Sequence, residues 1–137
     1  MPRLNLMPFF LLLGIPLGFA QTTAPNNAEL YFISPSNGAT LSSPVVIRFG
    51  LKNMGVAPAG IEKENTGHHH LIIDSDLPPI DQAVLNDDDH RHFGKGQTET
   101  TLDFSPGKHT LQLLLGDFRH IPHKPPVISR QITITVQ

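Results

Sequence analysis

Apolar and polar residues alternate with period two along most of the chain after residue 28. Leu30 and Phe32 alternate with Glu29 and Tyr31. Val45, Ile47, Phe49 and Leu51 alternate with Val46, Arg48 and Gly50. Thr98, Thr100, Leu102 and Phe104 alternate with Gln97, Glu99, Thr101 and Asp103. His109, Leu111, Leu113 and Leu115 alternate with Lys108, Thr110 and Gln112. Ile132, Ile134 and Val136 alternate with Gln131, Thr133 and Thr135. Successive side chains of a strand point to opposite faces, so each run predicts a strand with one buried face. Leu111, Leu113, Ile132 and Ile134 are the expected core.

Ser34-Pro-Ser-Asn-Gly38, Ser43-Pro44 and Ser105-Pro-Gly107 supply turn chemistry between these runs. No window has helical periodicity, and 13 prolines and 11 glycines oppose long helices. Six or seven short strands over this length predict an all-β fold, an immunoglobulin-like antiparallel β-sandwich, with a small β-barrel as the competitor. The expected domain runs from 29 to 137, preceded by a polar linker over 21–28. It is expected to be monomeric or weakly associated.

Residues 1–20 read as a cleaved signal peptide. Arg3 precedes an apolar run from Leu6 to Phe19, and Gly18-Phe-Ala20 is a small-x-small cleavage pattern. The run holds Pro8 and Pro16 and is shorter than the roughly 20 apolar residues of a membrane span. A periplasmic or secreted protein is therefore expected, with no span in the mature chain. Losing Arg3 takes the formal charge from −2 to −3. That weak charge gives no reason to expect a nucleic-acid partner. The absence of cysteine excludes disulfides and thiolate metal sites.

Three connections exceed turns: Lys52 to Gly67, Asp74 to Gly96, and Gly116 to Pro126. Loops longer than about 12–15 residues in a compact domain are usually functional or disordered. Of the eight histidines, seven lie in or beside these loops. His68-His69-His70 open an apolar run. On a strand, His68 and His70 share one face, and His69 joins Leu71 and Ile73 on the other. Alternate side chains lie about 7 Å apart, a span that one ion can bridge. His90 and His92 repeat the spacing. His120 and His123, three apart, suit a turn around an ion. The candidate ligands are thus His68, His70, His90, His92, His120 and His123, with Asp74, Asp117 or a loop aspartate as an added oxygen donor. Imidazole-rich, thiol-free sites suit zinc, copper or nickel, and copper or zinc is the expected ion. His109 shares parity with the leucines, so a hydrogen-bonded histidine at the core edge is expected there.

Several longer strings carry a resemblance. They are Met54-Gly-Val-Ala-Pro-Ala-Gly60, Thr66-Gly-His-His-His-Leu-Ile-Ile-Asp74 with Leu77-Pro-Pro79, His92-Phe-Gly-Lys-Gly-Gln-Thr-Glu-Thr100, His109-Thr-Leu-Gln-Leu-Leu-Leu-Gly-Asp117 and His120-x-Pro-His-x-Pro-Pro126. Together they resemble the bacterial exported family known as domain of unknown function 4399, over nearly all of the mature chain. The resemblance implies a small exported β-domain and supplies no activity.

The chain lacks a Gly-x-Ser-x-Gly elbow and any cysteine, so nucleophilic catalysis has no support. The expected function is non-catalytic binding or delivery of a divalent transition metal. Two other readings stay open on the sequence. One is a cell-envelope module that recognises a protein or glycan through the same loops. The other is a metalloenzyme, which needs an open coordination position and a base.

Overall fold

The computed structural model describes residues 20–137, so the expected signal peptide lies outside the described residues except for Ala20. Among them nine strands form two sheets, and no residue is helical. In chain order β1 is Glu29–Ser34, β2 Thr40–Leu41, β3 Val45–Lys52, β4 Gly55–Val56, β5 Thr66–Ile73, β6 His90–His92, β7 Glu99–Leu102, β8 Gly107–Gly116 and β9 Ile132–Val136. The smaller sheet runs β1-β3-β7. The larger runs β2-β9-β8-β5-β4, with β6 also paired to β5. Neither sheet closes on itself, so the fold is an all-β sandwich and the barrel is set aside.

The larger sheet is not wholly antiparallel, as the periodicity had implied. β2 pairs parallel to β9, and β4 parallel to β5. Each of these two extra strands has two residues, too few for a period-two pattern to show.

The core lies between the sheets. Leu30, Ile47 and Phe49 of the smaller sheet meet Leu71, Ile73, Leu111, Leu113, Leu115, Ile132, Ile134 and Val136 of the larger one. Burial of such side chains stabilises by about 25 cal/mol per Å² of apolar surface. Leu111, Leu113 and Ile134 are fully buried and Ile132 nearly so, as their parity predicts.

β5 departs from the half-buried pattern, for every residue from Gly67 to Ile73 is buried. It lies inside the larger sheet, with β8 on one side and both β4 and β6 on the other. Its inner face carries His69, Leu71 and Ile73. Its outer face carries His68, His70 and Ile72. That outer face is covered too, since Ile72, Leu114 and Val84 are buried apolar residues outside the inter-sheet cluster. The cover comes from the long connections. The Val84 amide donates to the His120 carbonyl at 2.9 Å, joining the connection after β5 to the one after β8.

The stretch 21–28 is bound to this cover and is not a free linker. The Lys124 amide donates to the Thr22 carbonyl and the Ala24 amide to the Lys124 carbonyl, at 2.9 and 3.2 Å. Among the described residues no helix is long and apolar enough to cross a membrane.

Candidate metal centre

β5 and β6 set the floor of the site. β5 places His68 and His70 on the outer face two residues apart. In the antiparallel β5–β6 ladder, His92 stands directly opposite His70. Directly opposed residues bring their Cβ atoms to about 4.5–5.5 Å, close enough for rings to touch. The His70 and His92 ring centroids are 5.1 Å apart.

The fourth imidazole comes from the turn after β8. Asp117 builds that turn. Its Oδ1 accepts from the Arg119 and Ile121 amides at 2.8 and 3.0 Å. Its Oδ2 accepts from the Thr22 hydroxyl at 2.7 Å and the Arg119 guanidinium at 3.2 Å. Its carbonyl accepts from the His120 amide at 2.9 Å. Burial would raise the Asp117 pKa, but the hydrogen bonds from Thr22, Ile121 and Arg119 outweigh it and hold the carboxyl below its usual range. His120 leaves this turn at φ 67°, a left-handed conformation that costs a non-glycine residue about 1 kcal/mol or more. The turn thus holds His120 in a strained conformation directed at the other imidazoles.

One ligand atom from each of His68, His70, His92 and His120 lies within 4.8 Å of all the others. His68 Nε2 is 3.0 Å from His70 Nε2 and 3.1 Å from His120 Nδ1. Both His68 and His70 are fully buried, while His92 and His120 are half-buried.

Imidazole chemistry makes this arrangement unsatisfied. A neutral ring has one donor and one acceptor nitrogen. His68 Nε2 bears either a proton or a single lone pair, yet two nitrogens converge on it. His92 Nε2 is buried with no hydrogen-bond partner. Adding protons does not relieve the crowding. Burial, then the neighbouring His120 and His92, lowers the His68 pKa to about 4. Burial, then His68, His92 and His120, lowers that of His70 to about 2. Burial and His120 lower that of His92. His68, His70 and His92 are therefore held neutral at neutral pH, the state that a metal ligand requires.

The other candidate ligands lie elsewhere. His90 lies on β6 opposite Ile72, two residues from the cluster, and its Nδ1–H donates to Asp87 at 2.8 Å. His123 is buried beyond the turn, where its Nε2–H donates to the Thr66 carbonyl at 3.0 Å. Neither belongs to the group that converges. The His-x-His spacing of 90 and 92 did not distinguish them. What separates them is the strand register, which puts His92 opposite His70 and His90 two pairs further on, opposite Ile72.

No aspartate joins the cluster either. Both Asp117 oxygens are committed to its turn. Asp74 Oδ1 accepts from the Thr110 amide, and its Oδ2 from His109 Nδ1–H at 2.6 Å. His69 faces the inter-sheet core, with its ring 5.0 Å from that of Phe49. Burial lowers its pKa to about 4, offset in part by the Gln97 backbone.

The organising role of Asp117 had no sequence signal beyond its place after a strand. Nor did the period-two pattern mark Gly94 and Gly116, whose backbones lie against the imidazoles of His92 and His70.

No curated protein matches the chain, and no solved structure does. The family model of Domain of unknown function (DUF4399) matches residues 47–137, a stretch that runs from within β3 through the end of β9 and holds all four converging histidines. The chain belongs to that family.

Proposed function

We propose that this protein binds a divalent transition-metal ion, copper or zinc, through His68, His70, His92 and His120. One observation carries the reading: four imidazoles converge within 4.8 Å, two of them fully buried, with two nitrogens on His68 Nε2 and no hydrogen-bond partner on His92 Nε2. A bound cation would accept all four lone pairs at once. Zinc holds imidazole nitrogens at about 2.0–2.1 Å, which separates the ligands of a tetrahedral ion by roughly 3.3 Å. A square-planar copper ion would set adjacent ligands about 2.9 Å apart and opposite ones about 4.1 Å apart. The separations of His68 Nε2 from His70 Nε2 and His120 Nδ1, 3.0 and 3.1 Å, fall among these values.

Four protein ligands complete a tetrahedral shell, whereas catalytic zinc sites keep a position for water. That favours binding or delivery over turnover. The site would act in the periplasm or outside the cell, where the apolar N-terminal run points.

The experiment is isothermal titration calorimetry of the untagged mature chain with Zn²⁺ and Cu²⁺. One ion should bind per chain, and the double variant His68→Ala/His70→Ala should lose that binding while keeping its strand spectrum. Unchanged affinity in the double variant would reject this ligand set.

A further inference from the structure

We infer that Gly94 and Gly116 are positioning residues of this centre, whose bare backbones hold its imidazoles at the spacing of a small four-coordinate ion. The inference rests on the metal reading and deepens it, because it names what sets the size of the site.

Glycine occurs here for two different reasons. Gly38, Gly60, Gly96 and Gly107 have positive φ, and a Cβ on any of them would meet nothing closer than 3.8 Å. Their role is conformational. Gly94 and Gly116 are the reverse. Neither has a backbone conformation that excludes a side chain, yet the space for one is filled by imidazole. A Cβ on Gly94 would collide with His92 Cε1 and Nε2, and would lie 3.2 Å from the Ala59 methyl. A Cβ on Gly116 would lie 2.8 Å from His70 Nε2 and 3.4 Å from the His120 Cα. Real Cβ atoms do not approach other atoms so closely, so each ring would have to move. His70 Nε2 is itself one of the converging nitrogens, 3.0 Å from His68.

Elsewhere the same device is only structural. On the smaller sheet, Tyr31 lies across Gly50, its cross-strand partner, and a Cβ there would collide with the phenol ring. Gly50 is therefore the control: its replacement should disturb packing and leave the centre alone.

The test uses Co²⁺ as the probe on the untagged mature chain, since its visible absorption reports both binding and coordination geometry. His92 is half-buried and the new methyl meets the far end of its ring, so Gly94→Ala should fold with a near-normal thermal midpoint. Its Co²⁺ affinity should fall by about 10–100-fold, the usual effect of losing a group that orients a ligand, with an altered spectrum. Gly116→Ala should lower the affinity as well, with a lowered midpoint because the His70 ring it displaces is fully buried, and Gly50→Ala should keep the wild-type affinity and spectrum whatever its midpoint. Because Gly94 acts through His92, adding Gly94→Ala to His92→Ala should cost no further affinity. Wild-type affinity and spectrum in Gly94→Ala, or additive losses in the double variant, would overturn the inference and leave the metal reading standing. Failure of the wild-type chain to bind Co²⁺, Zn²⁺ or Cu²⁺ would overturn both.

Discussion

His109 and the four-histidine centre lie on the same sheet, and their surroundings drive the same side chain in opposite directions. His109 Nδ1 faces Asp74 at 2.6 Å and its Nε2 faces the Ser105 carbonyl at 2.7 Å. Both neighbours only accept hydrogen bonds, so the ring fits as an imidazolium that donates twice. The Asp74 carboxylate raises its pKa accordingly. The four rings of the centre face one another, and burial with mutual repulsion lowers the pKa of His68, His70 and His92. One corner of the sheet is complete with a proton. The other disfavours a charge on His68, His70 and His92. The difference separates a structural histidine from a ligand more clearly than spacing does.

The largest expected effect comes from removing a buried ligand. His70→Ala should weaken Zn²⁺ or Cu²⁺ binding by more than about 100-fold, beyond the usual loss from a supporting group. His109→Ala should leave that affinity within about twofold. Competition titration against a chelator of known affinity checks both, and equal losses would erase the distinction between the two regions.

Next is the response to acid. A histidine whose folded pKa lies below its unfolded value of about 6.5 contributes stability above that value and loses it as pH falls. His68 and His69, at about 4, and His70, at about 2, act in this sense. The metal-free protein should therefore lose stability steeply between pH 6.5 and pH 4, with up to about three extra protons bound on unfolding. His109 has the opposite sign. Its contribution is complete below about 6.5 and disappears as pH rises through its raised folded value. Denaturant midpoints measured from about pH 4 up through the raised His109 value, for the wild type and His109→Gln, would resolve the two slopes. A flat acid limb would contradict the burial of neutral imidazoles.

A smaller effect is expected at Asp74. Asp74→Asn removes the anionic partner of His109 but leaves an acceptor for the Thr110 amide. The Asp74 side chain is 42% exposed, so solvent weakens the ion pair. A loss of about 1 kcal/mol in urea unfolding is expected, with no change in metal affinity. The smallest effect belongs to His90→Ala. Its ring pairs with the exposed Asp87, and its loss should leave affinity within about twofold.

Much of the sandwich was legible in the sequence because one-sided burial writes itself as alternation. Leu111, Leu113 and Leu115 face the inter-sheet core as their parity required. Leu114 does not fit that pattern, since it is buried on the outer face. The sequence could not show that two long connections fold over that face. The same limit applied to the site. His68 and His70 were legible as a pair because parity alone puts them on one side of β5. The choice of His92 over His90 depends on a pairing with β5 across a long connection. The choice of His120 over His123 depends on a turn wound around the Asp117 carboxylate. Both depend on contacts distant in sequence, which no local pattern encodes.

The central claim is that four imidazoles bind one ion together, and electron paramagnetic resonance of the Cu²⁺-loaded, untagged mature chain tests it most directly. Nitrogen couplings, compared between natural-abundance and ¹⁵N-histidine protein, count the imidazoles bound to the ion. The account predicts one Cu²⁺ per chain coupled to four histidine nitrogens, falling to three in His92→Ala. A signal from two or fewer nitrogens, or one that His92→Ala leaves unchanged, would contradict it.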